Sequence, residues 1–418
     1  MDNTEGRAGL RKKYYGRVHY AWVVAFAGAL AMLCGLGLAR FAFGMMLPSM
    51  SVSLGLNYGQ GGLLGFANMA GYLIAVLLAP LILPRLGTRA TATASLGLIT
   101  VSMLGLALVE DFFLLCAIYV VTGIGSGGVV LPSMSVMSHW FRPSHRGLAS
   151  GIVMSGPGFG IVLSGFVVPR LGGFYGLQPW QTGWLIFALI CACVAGLAFG
   201  LIRNHPDHFS LPPFGRAAEM VPGPETRQSS GKIRLLAHMG LIFAIYGATY
   251  MLYVTFIVTS MVDTYGLSAA KAGSLWAWFG FLSIFSGVLF GVISDRIGRR
   301  KGMAVAFAAL ATAYLLVGFG GGVLWLYASI ILFGLAAWSV PVIMAASAGD
   351  FFGPAASANA LAALTLAFSA GQAAGPVVAG FVAEQAGSFG ISYAASGGAA
   401  ILAIFLTFLL KPPVVSSE

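Results

Sequence analysis

The sequence carries very little charge, and this scarcity decides its class. Only 8% of the 418 residues are Asp, Glu, Lys or Arg, against about 25% in a typical soluble domain. Too few polar side chains remain to cover a water-exposed surface, so a soluble globular protein is excluded. The 58 Gly and 18 Pro exclude a coiled coil, and an aromatic content of 12% excludes disorder.

Motifs of catalysis and metal binding are also missing. There is no phosphate-binding Walker loop, no Ser/His/Asp pattern and no HExxH sequence. The four cysteines lie in apolar runs without metal-ligand spacing, and the six histidines fall in loops or at the edges of apolar runs. We therefore predict that the protein is not an enzyme and has no cofactor or metal, and that its cysteines pack as small apolar side chains.

Long apolar runs take the place of these features. Of all residues, 58% are apolar, and the mean hydropathy is +0.90. A membrane-spanning helix needs about 20 apolar residues, and twelve runs satisfy this length approximately. They fall at 20–50, 57–83, 90–109, 112–138, 147–169, 182–202, 236–262, 269–293, 303–320, 322–348, 355–383 and 389–410. The sequence thus predicts an all-α membrane protein with twelve spans.

A long break rich in Pro and charge divides the runs into two groups of six. We predict an N-terminal six-helix bundle over 1–203, a flexible cytoplasmic linker over 204–234 and a C-terminal six-helix bundle over 235–418. Alternating the loops from a cytoplasmic N-terminus places 19 of the 22 Lys and Arg inside and only Arg170 and Lys271 outside. This asymmetry predicts cytoplasmic termini. It also explains the net charge of +10 without a nucleic-acid partner.

The two halves repeat each other at an offset of 211 residues. The segment 84–89 (PRLGTR) resembles 295–300 (DRIGRR), and the same offset places Gly123 on Gly334. Gly-Pro pairs also recur, at Gly156-Pro157 and Gly375-Pro376. Repeated halves and interrupted helices are typical of alternating-access transporters.

Arg40 is the most informative single residue, because it is the only charged residue deep inside an apolar run. It lies 20 positions into the first run, roughly 30 Å along a helix. A charge at this depth is expected to face a cavity or a partner, yet no Asp or Glu lies inside any other run. We therefore expect Arg40 to bind an anionic substrate. Two alternatives remain open: a snorkelling side chain at the outer interface, or a pair with Asp263 or Glu384 at outer span ends.

The motifs resemble those of the major facilitator superfamily over almost the whole chain. The segment 291–300 (GVISDRIGRR) fits the superfamily's loop motif between spans 8 and 9, and 139–151 is similar to the span 4–5 junction of monocarboxylate and oxalate/formate porters. The resemblance implies two six-helix bundles and rocker-switch transport by a monomer. It also implies that spans 1, 4, 7 and 10 line the central path. We expect a bacterial inner-membrane location, because the sequence carries no compelling eukaryotic targeting or glycosylation feature. Candidate gating residues are Arg85, Arg89, Arg142, Arg146, Asp295, Arg296, Arg299 and Arg300.

Candidate substrate-binding residues combine this implication with local patterns. Three tyrosines of the seventh run share one helical face, and the remaining positions lie on the path-lining runs or, for Gln372, in the eleventh. The full set is Arg40, Tyr119, Thr122, Ser126, Tyr246, Tyr250, Tyr253, Trp338, Ser339 and Gln372. Asn68, Tyr72, Trp276 and Trp278 are weaker candidates, because polar side chains in spans often bond to neighbouring helices.

The principal hypothesis is a secondary transporter of a small organic anion, a monocarboxylate, since a dicarboxylate calls for two cations. The alternative is an exporter of amphipathic drugs or metabolites, although a cationic drug calls for an embedded acid. A non-transporting sensor is a third and weaker hypothesis. Symport with a proton is left open: the proton can travel with the substrate, bind Asp263 or Glu384, or not be coupled.

Overall fold

The computed structural model describes residues 19–171, 176–209, 211–216 and 231–410. Apart from two single-turn 3₁₀ segments, its regular structure is α-helical, with a π-helical stretch in the first helix. The N-terminal half contains α1 (Tyr20–Leu54), α2 (Tyr58–Leu108), α3 (Phe112–Trp140), α4 (Pro143–Val167) and α5 (Pro179–Leu201). The C-terminal half contains α6 (Gly231–Asp263), α7 (Ala269–Ile297), α8 (Arg299–Gly318), α9 (Val323–Phe352), α10 (Pro354–Ala386) and α11 (Gly390–Leu409).

These eleven helices of the described chain are each long and apolar enough to cross a membrane. The number is one fewer than the twelve separate spans expected from the sequence, and α2 accounts for the difference. Its 51 residues would extend about 77 Å as a straight helix, more than twice the hydrocarbon thickness of a bilayer. At Gly87 the backbone leaves the helical conformation, with φ 74° and ψ 168°. The element therefore consists of two limbs that meet at Gly87, where the sequence predicts a cytoplasmic turn.

Large apolar side chains cover the outside of the bundle, as a lipid environment requires. Phe113, Leu324 and Val288 are each more than 70% exposed, while Trp140, Trp180 and Trp276 are fully buried. The membrane itself replaces water as the solvent for the exposed side chains, so these patches need no protein partner.

The two halves meet along three helix pairs: α1 with α6, α2 with α10, and α4 with α7. Glycines allow these approaches. A Cβ on Gly62 would lie 2.4 Å from the carbonyl oxygen of Pro376, and a Cβ on Gly165 would lie 2.5 Å from that of Gly273. Among the described glycines, those in close contact with the other half lie between the middle of the bundle and one end. We call this the outer end, because the charge distribution of the sequence predicts that it faces away from the cytoplasm.

The first part of the segment between the halves is packed rather than free. Pro206–Phe209 forms a 3₁₀ turn, and Phe214 pairs its backbone with Phe141 and packs its ring against Trp22 and His145. The expectation of a flexible linker is therefore wrong for 211–216. Residues 210 and 217–230 of the predicted linker, and the termini 1–18 and 411–418, lie outside the described residues, whereas 231–234 already belong to α6. The cytoplasmic location of both termini stays a prediction.

Candidate functional site

The site is built around Arg40, which is only 5% exposed. Its Nη2 donates a hydrogen bond to Oε1 of Gln372 at 2.8 Å and lies 2.9 Å from the sulfur of Met69. Both ion pairs found within the described residues belong to Arg299, so no carboxylate of this part of the chain neutralises Arg40. The guanidinium is held by a neutral amide and a thioether, which are weak partners for a buried cation.

A π-helical segment of α1, Leu33–Phe41, carries Arg40. Such segments are rare and often mark functional sites. The wider helical turn is visible at its end, where the backbone N–H of Ala42 donates to the carbonyl of Gly37, five residues earlier. Helix α4 packs closely here, because a Cβ on Gly37 would lie 2.7 Å from Cα of Gly160. Ser126 of α3 donates to the carbonyl of Gly35. These contacts fix the segment, and with it the direction of Arg40.

Gln372 comes from α10 in the opposite half. The helix lies close against α6, since a Cβ on Gly371 would be 2.1 Å from the carbonyl oxygen of Ala244 and one on Gly375 would be 2.2 Å from that of Ala248. Pro376 lies four residues after Gln372 within α10. Because proline has no N–H, it removes the helical hydrogen bond to the Gln372 carbonyl and favours a kink. The Arg40–Gln372 bond therefore joins the two halves at an interrupted part of the helix.

A tight crossing of α2 and α3 supplies two further groups. A Cβ on Gly71 would lie 1.9 Å from the carbonyl oxygen of Val120, and a Cβ on Gly123 would lie 1.9 Å from that of Asn68. With the backbones this close, the Asn68 amide donates to the carbonyls of Ala39 and Tyr119 at 3.4 and 3.5 Å. Asn68 thus connects α2 to the segments that carry Arg40 and Tyr119.

Aromatic side chains enclose the guanidinium. Its Cζ lies 5.2 Å from the ring centroid of Tyr72, within the range of a cation–π contact. The rings of Phe41, Tyr250 and Trp338 pack against one another with centroids 5.5 to 6.3 Å apart. Tyr119 lies beside this group: its carbonyl accepts from the Asn68 amide, and its ring centroid lies 5.2 Å from that of Phe43. The arrangement combines one cation with an apolar and phenolic wall.

Arg40 lies close to the pseudo-symmetry axis of the molecule. The 211-residue offset between the halves relates Arg40 to Met251, and these two residues touch, with Nη2 3.8 Å from the methionine sulfur. Residues related by a two-fold axis meet only near that axis. The charge therefore lies between the two halves, where transporters built from repeats bind their substrates.

Of the predicted binding residues, the structure brings Arg40, Tyr119, Tyr250, Trp338 and Gln372 together. The hydroxyl groups of the other five residues form hydrogen bonds to neighbouring helices or to their own helix. Thr122 bonds to Ser102 at 2.9 Å and Tyr253 to Ser329 at 2.8 Å, and Tyr246 donates to the Ala337 carbonyl. Ser126 donates to the Gly35 carbonyl and Ser339 to the Ala336 carbonyl. These contacts favour a packing role, and substrate contact by these five stays a prediction.

The carboxylates offered as alternative partners of Arg40 lie elsewhere. Both contact Tyr58 at the outer end: its hydroxyl donates to Asp263 Oδ2 at 3.1 Å and its backbone N–H to Glu384 Oε2 at 2.9 Å. Tyr58 belongs to the N-terminal half and both acids to the C-terminal half. We call these three residues the outer latch, because their hydrogen bonds link the halves at the closed end.

Among the predicted gating residues, Arg299 forms both ion pairs found in the described part of the chain. It pairs with Asp295 at 2.5 Å and with Asp350 at 2.7 Å, joining α7, α8 and α9. Arg300 donates to the carbonyls of Thr407 and Phe408 at the end of α11. These bonds tie the C-terminal half together at the end opposite the outer latch, and they lie within one half.

The other predicted gating residues make local contacts. Arg89 lies 4.0 Å above the Phe199 ring and donates to the Phe199 carbonyl at 2.7 Å. Arg85 donates to Leu81 in its own helix, and Arg146 reaches the Ser138 carbonyl at 3.4 Å. Arg142 precedes α4 as its N-cap, and Arg296 is exposed. A gating role for these residues stays a prediction.

Sequence reasoning missed several residues of the site. Met69 and Met251 look like ordinary apolar packing residues in a membrane helix, and only the 211-residue offset pointed to Met251. Tyr58 lies at the start of the run 57–83 and Asp350 just after the run 322–348, and no pattern in the sequence singled out either residue. Gln372 was predicted, but nothing in the sequence indicated that it binds Arg40.

Comparisons with known proteins identify the family of this chain. A family model described as "Uncharacterised MFS-type transporter YbfB" matches residues 32–408. The chain is 24% identical to a hexuronate transporter of Bacillus subtilis, over 90% of this chain and 92% of the relative. It is 24% identical to the nitrate/nitrite transporter NrtP of Nostoc punctiforme, over 73% and 74% of the two chains.

Solved structures share the fold. The crystal structure of a D-xylose–proton symporter has a TM-score of 0.72 at 16% identity, covering 94% of this chain and 98% of the symporter. A bacterial homologue of the human lysosomal transporter Spinster has a TM-score of 0.71 at 15% identity, covering 94% and 95%. With the family model matching from 32 to 408, this chain belongs to the MFS transporters, as a multi-pass protein of the bacterial inner membrane and not an enzyme.

Proposed function

We propose that this protein is a secondary transporter of a small organic anion, a monocarboxylate, and that Arg40 binds the anionic group. The observation that carries the proposal is a buried arginine between the two halves with no carboxylate partner in the described chain. An unpaired charge inside a membrane costs about 2.5–3.5 kcal/mol even on insertion scales. A substrate carboxylate removes this cost and satisfies the guanidinium in a bidentate pair.

Substrate binding and movement of the halves are connected through Gln372. In the structure, Arg40 of one half donates to Gln372 of the other. An incoming carboxylate competes for the same donor, so binding loosens or redirects a bond between the halves. Alternating access requires such a difference between the occupied and empty states, because a ligand shifts an equilibrium only by its differential affinity.

The described conformation fits a state in which the outer end is closed. Close glycine contacts and the outer latch join the halves there. We infer that rocking of the halves breaks these contacts and opens the site to the other side. Coupling to a proton and a monomeric state stay predictions, with Asp263 and Glu384 as the acids nearest the moving interface.

The relatives lend support to an anionic substrate. The two relatives described above are named for hexuronate and for nitrate and nitrite, all of them anions. A single guanidinium suits one negative group, which favours a monocarboxylate over a dicarboxylate. No embedded carboxylate is found near Arg40 in the described residues to attract a cationic drug.

Counterflow in proteoliposomes tests the proposal. Vesicles loaded with an unlabelled compound are diluted into a trace of the same compound in labelled form, and the assay is repeated for each member of a panel of carboxylates and organic cations. We expect uptake of at least one carboxylate by the wild type and loss of uptake in Arg40→Gln, which removes the charge and keeps a polar side chain that can donate a hydrogen bond. Uptake of cations alone, or carboxylate uptake that survives in Arg40→Gln, would overturn the proposal.

A further inference from the structure

Four buried polar atoms of Arg40 and of residues packed beside its segment of α1 lack a hydrogen-bond partner. They are Nε of Arg40 itself, Oδ1 of Asn68 and the hydroxyls of Tyr119 and Tyr250. Each comes from a different helix: α1, α2, α3 and α6. Buried polar atoms in folded proteins are almost always paired, so a cluster of unpaired atoms calls for an explanation. Their position at the proposed substrate site suggests a ligand that pairs with them.

The orientation of the Asn68 amide follows from its neighbours. Its nitrogen lies 3.4 and 3.5 Å from the carbonyl oxygens of Ala39 and Tyr119, both of which only accept hydrogen bonds. Turning the amide over would place its oxygen against these two acceptors and break both bonds. The nitrogen therefore faces the carbonyls, and Oδ1 stays without a donor.

The unpaired atoms indicate which other groups a ligand carries besides its negative charge. The Nε–H of Arg40 and the phenol hydroxyls can each donate to a carboxylate, but Oδ1 of Asn68 only accepts. A simple carboxylate has no donor and leaves this oxygen unpaired. A ligand that pairs with the whole cluster carries a hydrogen-bond donor beside its carboxylate, and a neutral hydroxyl supplies this donor without the repulsion that an ammonium group meets beside Arg40.

We propose that the substrate is a hydroxylated monocarboxylate, whose carboxylate binds Arg40 and whose hydroxyl donates to Asn68. The proposal rests on the proposed function, since it assigns the class of anion bound at the same site. Tyr119 and Tyr250 donate to the remaining oxygen atoms of the ligand. A site built to bond a hydroxyl rejects the analogue that lacks it, because its own buried groups are then left unpaired.

Paired ligands that differ in hydroxyl groups provide the test. Affinities of the purified full-length protein in detergent are measured by calorimetry for lactate against propionate and for threonate against butyrate. We expect the hydroxylated member of at least one pair to bind about tenfold or more tightly than its partner. Asn68→Leu should bring this ratio close to one while carboxylate binding still depends on Arg40.

Further variants separate the interpretations. Tyr250→Phe removes a single hydroxyl from a packed ring and should lower the affinity for the hydroxylated acid, because one donor to the oxygen atoms of the ligand is lost. Ser133→Ala is the matched control, because the Ser133 hydroxyl is also buried and unpaired but lies 14 residues along α3 from Tyr119. It should leave the ratio unchanged.

Each outcome bears on one of the two proposals. If propionate and butyrate bind in an Arg40-dependent manner as tightly as lactate and threonate, the hydroxyl proposal is overturned and the anion site stands. An unchanged ratio in Asn68→Leu likewise overturns the role of Asn68. If no carboxylate depends on Arg40 for binding, the proposed function fails as well.

Discussion

Replacing Gln372 by glutamate supplies the anion that Arg40 lacks. Oε1 of Gln372 already lies 2.8 Å from Nη2 of Arg40, so Gln372→Glu places a carboxylate at salt-bridge distance without a change of side-chain length. If the substrate is the missing counter-ion, the new carboxylate should occupy its place. The variant is therefore predicted to be more thermally stable than the wild type and to bind carboxylates poorly.

The magnitude follows from the bonds exchanged. Because Arg40 is charged, its bond to Gln372 is already a hydrogen bond to a charged group, worth about 1.5–3 kcal/mol, and exchanging the amide for a carboxylate adds the attraction of a full negative charge that the substrate must displace. Two carboxylates held about 5 Å apart also repel each other by about 3 kcal/mol at an effective dielectric constant of 20. Since each 1.4 kcal/mol is a factor of ten, the affinity should fall at least about 30-fold.

Isothermal titration of the purified protein with a bound carboxylate measures this change, alongside its melting temperature. Gln372→Leu is the matched control: it removes the amide without adding charge and should bind the carboxylate far more tightly than Gln372→Glu. Wild-type affinity in Gln372→Glu would refute the reasoning, because a carboxylate beside Arg40 would then not compete with the ligand.

Two other predictions concern conformation and packing. Tyr58→Phe removes the hydrogen bond to the outer latch carboxylate at 3.1 Å, worth about 1 kcal/mol, and should raise the population open at the outer end about fivefold. Distances between spin labels at the exposed positions Val52 and Thr264 measure this population. An unchanged distance distribution would contradict the latch. Gly71→Ala, whose Cβ would lie 1.9 Å from a backbone oxygen, should reduce the folding stability by about 3 kcal/mol and lower the melting temperature. Gly97→Ala, with open space around it, should be neutral or slightly stabilising. Equal melting temperatures for the two variants would refute the tight crossing of α2 and α3.

Much of the architecture could be predicted from the sequence, because the bilayer imposes a simple rule on helix length and hydrophobicity. The apolar runs correspond to the helices, and the motif at 291–300 indicated the correct superfamily. The turn at Gly87 was also predicted as a boundary, and the backbone leaves the helical conformation there. The packed segment at 211–216 was not predicted, since its contacts depend on aromatic residues distant in the sequence.

The site could be predicted only in part. Arg40 was identified because a lone charge in an apolar run is unusual, but its partners come from helices that are close only in the fold. Tyr246 and Tyr253 share a helical face with Tyr250, yet both have hydroxyl partners on other helices. Helical periodicity predicts on which face of a helix a residue lies. It does not predict which neighbouring residue forms a hydrogen bond with its side chain. The π-helical segment that carries Arg40 depends on packing against α4, which no local pattern predicts.

A thermal-shift screen of the wild type and Arg40→Ala tests the central claim most directly. The panel contains mono- and dicarboxylates, sulfonates and hydrophobic cations, each titrated against the purified protein in detergent. The account predicts saturable stabilisation of the wild type by monocarboxylates and none of Arg40→Ala. Undiminished stabilisation of the variant by carboxylates, or stabilisation of the wild type by hydrophobic cations alone, would contradict it.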